Sequence, residues 1–193
     1  MKTYDFEAIV IGSGCAGYNC ADWLYDLGVT NIALITESRL AGTSRNTGSD
    51  KQTYYKLSLA GDSGDSIGEM ARTLFAGGGM DGPTALCEAA SSEPSFLKLC
   101  RLGVDFPTNQ YGEYVGYKTD HDPCARGTSI GPYTSKRMTE VLEKAVMDKG
   151  IPILDGFQAV RLLTDEKGVA GVLCLDRRET NKASFVAIRS AYV

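Results

Sequence analysis

The chain has 193 residues, 43% of them hydrophobic and 23% charged, so it is long enough to fold around a substantial core. Its formal net charge is −4 and its 20 Lys and Arg residues are scattered, which excludes the basic patches typical of nucleic-acid or anionic-membrane partners. Because no apolar run approaches the roughly 18 residues of a membrane span, and residues 1–7 lack the pattern of a secretory signal, we expect a cytoplasmic protein.

The N-terminal residues predict a βαβ unit. Residues 7–11 form a short apolar run, residues 15–27 carry apolar side chains at helical spacing and end at Gly28, and residues 31–36 form a second apolar run. Two strands joined by a helix within about 30 residues are typical of a parallel sheet.

The middle of the chain is predicted to consist mainly of loops and helices. Residues 40–66 are rich in Gly, Ser, Thr, Asn and Asp, and loops of this length are usually functional. Helices are expected near residues 66–76, 83–102 and 134–149. The Pro, Asn, Gly and Tyr residues of segment 104–119 suggest a hairpin.

Three short strands separated by turns follow, at residues 159–164, 168–175 and 184–193, and they predict an antiparallel meander. We expect the last of these strands to leave an unpaired edge. The predicted fold class is α/β, a three-layer Rossmann-like FAD/NAD(P)-binding domain over residues 1–193, with a parallel sheet, flanking helices and the meander.

The turn between the first strand and the first helix carries a glycine motif. G-x-G-x-x-G is matched here by Gly12, Ser13, Gly14, Cys15, Ala16 and Gly17. In this context the first glycine permits a tight turn, the second lets a pyrophosphate approach the backbone, and the third lets helix and strand pack closely. The phosphates would lie on free N–H groups at the positive end of the helix. The motif therefore predicts a dinucleotide site.

A polar triplet ends the second strand about 20 residues after the motif, where a ribose-binding acid is expected. It consists of Thr36, Glu37 and Ser38. Glu37 can accept hydrogen bonds from ribose hydroxyls, but Thr36 is an equally good candidate for that position, and an exposed loop acid is the structural alternative for Glu37.

The long polar loop favours FAD over NAD as the cofactor. In a simple NAD-binding domain the second strand leads into another short βα unit, whereas here it leads into a segment dense in hydroxyls, amides and backbone donors. Such a segment suits a pyrophosphate and the edge of an isoalloxazine ring. The cofactor-binding residues expected there are Ser44, Arg45, Asn46, Thr47 and Gly48, and Ala159 in the meander is added to them.

With these features the sequence resembles the flavoprotein subunits of succinate dehydrogenase and fumarate reductase, together with L-aspartate oxidase and related FAD-dependent reductases. The resemblance covers nearly the whole chain, including the region 126–131 before the helix at 135–149 and the meander turn at 168–172. It implies that the intact protein transfers a hydride between FAD and a small organic acid or another unsaturated substrate. The resemblance is also compatible with an electron-transfer partner.

Two departures from this family qualify what the resemblance implies. Several members carry a histidine that bonds covalently to the flavin, but Asn46 stands near that position, so FAD is expected to be bound non-covalently. The family's substrate-capping domain, with the groups that hold and protonate a dicarboxylate, would follow Val193. The substrate is therefore expected to bind with that missing domain, and the 193 residues alone are expected to be inactive.

Two residues within the chain are catalytic candidates, His121 and Arg126. His121, the only histidine, lies between two aspartates that would raise its pKa, although a structural loop histidine is the favoured interpretation. The Arg126 guanidinium can form two hydrogen bonds with a substrate carboxylate. A structural role for Arg126 is at least as well supported. Asp62 and Asp65 lack the third ligand of a metal site, so no metal is predicted.

Two other interpretations remain open at this point. One is an NAD-linked dehydrogenase that uses the same glycine motif. The other is a non-catalytic, truncated dinucleotide-binding fragment.

Overall fold

Two units make up the chain in the computed structural model, which describes residues 1–50, 52–61, 64–119, 122–178 and 184–193. The first unit consists of Met1–Thr47 and Ser135–Val193, and the second of Gly48–Thr134. In chain order the elements are β1 (Lys2–Ile11), α1 (Cys15–Asp26), β2 (Ile32–Thr36), α2 (Thr43–Asn46), β3 (Tyr54–Tyr55), α3 (Ile67–Ala76), α4 (Gly82–Arg101), β4 (Gly127–Thr128), α5 (Thr134–Asp148), β5 (Ile153–Asp155), β6 (Phe157–Asp165), β7 (Gly168–Asp176) and β8 (Ser184–Tyr192). None of the helices found in the described ranges is long and apolar enough to cross a membrane.

The first unit is built on a six-stranded sheet with the order β5-β2-β1-β8-β7-β6. The pairs β1–β2, β1–β8 and β2–β5 are parallel, and the pairs β6–β7 and β7–β8 are antiparallel. The predicted α/β class, with a βαβ unit, a parallel sheet and an antiparallel meander, is therefore confirmed.

The terminal strand β8 does not leave an unpaired edge, so that expectation is wrong. β8 pairs with β1 on one side and with β7 on the other. Its residues Val186 and Ile188 are buried, because a strand in the middle of the sheet has its apolar side chains covered. The edge strands of the sheet are β5 and β6.

One apolar cluster of the first unit lies on one face of this sheet. All five residues of β2 are buried, as expected for a strand of a parallel sheet that is covered on both faces. The core cluster takes residues from both the parallel strands and the meander, namely Ile9, Ala33, Ile35, Phe157, Val172, Cys174, Val186 and Ile188. The meander is thus packed as part of the same core that supports β1 and β2.

In the second unit, helices α3 and α4 begin at capping side chains. Ser66 accepts a hydrogen bond from the N–H of Glu69 at 3.1 Å, and Asp81 accepts one from the N–H of Thr84 at 3.1 Å. These caps satisfy amide groups that have no partner inside a helix, which explains why the two predicted helices start where they do.

The hairpin predicted for residues 104–119 is wrong. Across this fully described segment there is no strand, and only Tyr117 forms an isolated bridge, with Gly127. The Asn109 side chain accepts hydrogen bonds from the N–H groups of Tyr111 and Glu113 at 2.9 and 3.0 Å. This local side-chain turn replaces the strand pairing that the turn residues suggested.

Candidate cofactor-binding site

The glycine turn between β1 and α1 has the geometry that its sequence predicts. Gly12 has a φ of +109°, a conformation that residues with a Cβ rarely adopt. A Cβ on Gly17 would lie 1.9 Å from the carbonyl oxygen of Gly12, so only glycine lets α1 pack this closely on the turn. A Cβ on Gly14 would meet only Ser44 Oγ, at 3.3 Å, so the space beside Gly14 is open on the other sides.

The N-terminus of α1 presents backbone donors to this open space. Gly14 is the N-cap residue and has no side chain with which to cap the helix. The N–H of Cys15 points at the hydroxyl of Ser44 at 3.4 Å. Amide groups of a first helical turn, together with the positive end of the helix dipole, favour an anionic ligand.

A cleft of about 440 Å³ opens beside the turn, at the carboxyl ends of β1 and β2. Ligands of open α/β sheets bind at this end of the strands. The cleft is lined by residues of the turn, of the end of β2 and the loop after it, and of β6: Ile11, Gly12, Ser13, Gly14, Ile35, Thr36, Glu37, Ser38, Ala41, Gly42, Phe157, Gln158 and Ala159. The structure thus brings Ala159, on β6, next to the predicted turn and triplet.

The two candidates for ribose binding differ in how their polar atoms are engaged. Thr36 is buried, and its hydroxyl contacts Ser13 Oγ at 2.8 Å and donates to the carbonyl of Ser38 at 3.3 Å. Glu37 is half-exposed at the cleft and pairs with Arg177. A surface pair of this kind contributes at most about 1 kcal/mol. The Glu37 carboxylate can therefore accept further hydrogen bonds. The Thr36 hydroxyl, in contrast, is already engaged by Ser13 and Ser38.

Of the loop residues predicted to bind the cofactor, three lie in the short helix α2, namely Ser44, Arg45 and Asn46. Ser44 contacts α1 as described above, and the Asn46 amide donates to the carbonyls of Leu40 and Gly42 at 2.9 and 3.0 Å. Asn46 therefore holds its own loop together. Thr47 follows α2 in the first unit, whereas Gly48 begins the second unit.

Arg45 takes part in a partly buried polar network that the sequence did not reveal. Its Nη2 lies 2.7 Å from Glu143 Oε2, and Tyr18 donates its hydroxyl to Glu143 Oε1 at 3.0 Å. Burial, reinforced by the Glu143 carboxylate, raises the pKa of Tyr18 to about 12. Arg39 Nε also lies 3.2 Å from Glu143 Oε1. Since Tyr18 and Glu143 are 125 residues apart, no motif signals this contact.

Arg126, one of the two catalytic candidates, is fully buried in the second unit. It donates two hydrogen bonds to Asp65, at 2.7 and 2.8 Å, and Nη1 donates to Tyr55, Thr73 and Asp122 at 2.9, 2.9 and 3.2 Å. The hydrogen bonds to Asp65 raise the pKa of Arg126. The guanidinium is thus occupied by protein acceptors.

Asp65 is held ionised by the same contacts. Burial alone would favour its neutral form, but hydrogen bonds from Arg126 and from the N–H groups of Ser58 and Ser66 lower the pKa of Asp65 to about 2. The other catalytic candidate, His121, and Asp62 lie outside the described residues.

The residues of the first unit fit an adenine dinucleotide. Gly12, Ser13 and Gly14 of the turn line one cleft together with Glu37, and the Ser44 hydroxyl lies at the N–H of Cys15. Gly14 has no side chain that would prevent the approach of a pyrophosphate, and the space beside it is open apart from Ser44 Oγ.

Comparison with known proteins gives a consistent result. A family model described as "FAD binding domain" matches residues 7–191. L-aspartate oxidase of Agrobacterium fabrum is 28% identical over 172 residues, which is 86% of this chain and 31% of that protein.

Two solved structures are similar in fold. A mutant of the E. coli quinol fumarate reductase superposes with a TM-score of 0.81 at 17% identity, over 98% of this chain and 32% of that chain. The Sdh1 complex of Mycobacterium smegmatis superposes with a TM-score of 0.82 at 18% identity, over 100% of this chain and 34% of that chain. The chain spans about a third of the length of each of these relatives.

Proposed function

Since the chain belongs to the FAD binding domain family, we propose that residues 1–193 form the N-terminal, FAD-binding part of a flavin-dependent oxidoreductase. The observation that carries this proposal is the cleft at the carboxyl ends of β1 and β2, which is lined by Gly12, Ser13 and Gly14 of the glycine turn. The similarity to L-aspartate oxidase and to the fold of fumarate reductase supports the same class of enzyme.

In this proposal the cleft holds the adenosine diphosphate half of FAD. The pyrophosphate lies against the first turn of α1, where Gly14 leaves room for it. Glu37 accepts hydrogen bonds from the ribose hydroxyls, because its carboxylate is at the cleft and only partly engaged. The adenine lies beside Ala159 on β6, which is an edge strand of the sheet.

Bound FAD supplies hydride transfer, which the protein directs through position and electrostatics. We propose that the substrate of the intact protein is a small organic acid or another unsaturated compound, bound together with a capping domain beyond these residues. The 193 residues would then bind and orient the cofactor without completing a closed reaction site, so water exclusion and proton delivery would be lost. An electron-transfer partner and a cytoplasmic location stay predictions.

The cofactor proposal is tested by the visible spectrum of the purified chain after incubation with FAD and removal of unbound ligand. We expect flavin absorption bands to stay with the protein. Retention of NAD with no retention of flavin would favour an NAD-linked dehydrogenase instead.

The catalytic proposal is tested with fumarate, succinate and L-aspartate, using the flavin-loaded chain and an artificial electron donor or acceptor. We expect no turnover from the 193 residues. Turnover of about 1 s⁻¹ or faster, typical of an intact enzyme, would place the chemistry within this chain and make His121 the first residue to replace.

A further inference from the structure

The network around Glu143 contains more positive than negative charge. The Glu143 carboxylate contacts two guanidinium groups, those of Arg45 and Arg39, at 2.7 and 3.2 Å. Tyr18, its third partner, stays neutral at pH 7 because its pKa is about 12. One positive charge is therefore left uncompensated within these four side chains, and the Arg45 side chain is only 10% exposed.

Arg45 also has a donor that no protein group uses. Among the residues that the structure describes, its buried Nε finds no hydrogen-bond acceptor. A buried guanidinium N–H without an acceptor is costly, so such a group in a native protein calls for a ligand or a water molecule. An anion close to the guanidinium would compensate the remaining positive charge.

The same network fastens three elements together at the start of α1. Arg45 is the neighbour in sequence of Ser44, whose hydroxyl lies at the Cys15 N–H. Tyr18 lies one turn further along α1. Helix α5 contributes Glu143.

A second contact joins α1 to α5 on the same helix face. Cys15 Sγ lies 2.9 Å from Thr139 Oγ1. Thr139 is four residues before Glu143, so both side chains project from one face of α5. The first turn of α1 is thus held to α5 at two points, through Cys15 and through Tyr18.

We propose that Glu143 and Tyr18 are positioning residues for a diphosphate subsite, and that they act through Arg45. By holding Arg45, they keep the Ser44 hydroxyl at the first turn of α1 and place a net positive charge beside the bound diphosphate. The proposal rests on the proposed function, because the diphosphate is that of the adenine dinucleotide. Arg45 supplies the positive charge, whereas Glu143 and Tyr18 orient the Arg45 side chain.

The test compares ADP with adenosine, using isothermal titration of the full chain. For Arg45→Met we expect ADP to bind about tenfold more weakly, which corresponds to the loss of one charge-assisted contact, whereas adenosine binds as it does to wild type. Arg45→Lys should recover part of the ADP affinity, because it keeps the charge and loses the planar fork. If Arg45 served only folding, Arg45→Met would not change the ratio of ADP affinity to adenosine affinity. Arg45→Lys would then not restore ADP affinity selectively.

Coupling is tested by a double-mutant cycle. Glu143→Ala should weaken ADP binding, and the double variant Arg45→Met/Glu143→Ala should be no worse than Arg45→Met alone. Tyr18→Phe, which removes only a hydroxyl, tests the same link if Glu143→Ala does not fold, and it should also lower ADP affinity selectively.

The matched control is Lys144→Met, since Lys144 lies on the same helix in an exposed pair with Asp148 and its side chain is 74% exposed. It should leave both affinities unchanged. Equal weakening of ADP and adenosine by Arg45→Met, or no weakening of either, would overturn the inference while the proposed function stands. Failure of the wild-type chain to bind ADP at all would overturn both.

Discussion

Replacement of Arg126 by Met should destabilise the second unit strongly, because it leaves buried carboxylates without a cation. The side chains of Asp65 and Asp122 are 1% and 2% exposed, and both carboxylates contact the Arg126 guanidinium. Tyr55 and Thr73 would lose a hydrogen bond as well. Breaking a buried ion pair by removing one partner typically costs about 3–5 kcal/mol, a large fraction of the roughly 5–15 kcal/mol that stabilises most domains.

Urea unfolding, followed by circular dichroism, measures this loss. With a slope of about 2 kcal/mol per M, the midpoint should fall by on the order of 2 M. Arg72→Met is the matched control, since Arg72 pairs with Glu69 at 2.8 Å and these side chains are 74% and 51% exposed; it should cost less than about 1 kcal/mol. If Arg126→Met and Arg72→Met had the same midpoint, a structural role for Arg126 would be refuted.

Three further predictions concern the cofactor and pH. Gly14→Val should abolish flavin binding at an unchanged circular dichroism spectrum, because a Cβ there meets only Ser44 Oγ at 3.3 Å and the branched side chain fills the phosphate space; unchanged flavin occupancy would show that the motif is only a turn. Acid precipitation should release the flavin into the supernatant, as expected for non-covalent binding with Asn46 near the linking position, and flavin that stays with the pellet would contradict this. The pKa of Asp65 is lowered to about 2, so its contribution to the free energy of unfolding is present above about pH 4 and should be lost as pH falls towards 2. Asp65→Asn should remove this dependence of the free energy of unfolding on pH. An identical pH profile in the variant and in wild type would contradict the assignment.

Local patterns explain why the βαβ unit was predictable from the sequence. Strand β1, the glycine turn and helix α1 depend on neighbours within a few residues of sequence. The spacing of apolar residues and the turn chemistry are therefore sufficient to predict them. Strand β5 was missed because it has only three residues, and its pairing with β2 makes it a strand. The central position of β8 was missed for a similar reason, since its parallel pairing with β1 joins the two ends of the chain.

The candidate site divides in the same way. The turn residues follow from a motif, but the partners of Arg45 do not, since Glu143 is 98 residues away in sequence. The sequence also left Thr36 and Glu37 as equal candidates; the structure adds that the Thr36 hydroxyl contacts Ser13 Oγ and donates to the carbonyl of Ser38, which favours Glu37 in our proposal. The only available signal for Glu143 was a charged residue on an amphipathic helix, which is more often solvated than functional.

The most direct test of FAD binding through this cleft is a competition experiment on the wild-type chain. FAD is titrated into the protein, binding is followed by flavin fluorescence, and the complex is then challenged with ADP or with FMN. We predict saturable FAD binding that ADP reverses and that FMN in large excess does not, because we propose that the glycine turn and Glu37 bind the adenosine diphosphate half. Displacement by FMN but not by ADP, or no saturable binding of FAD, would contradict the assignment of this cleft.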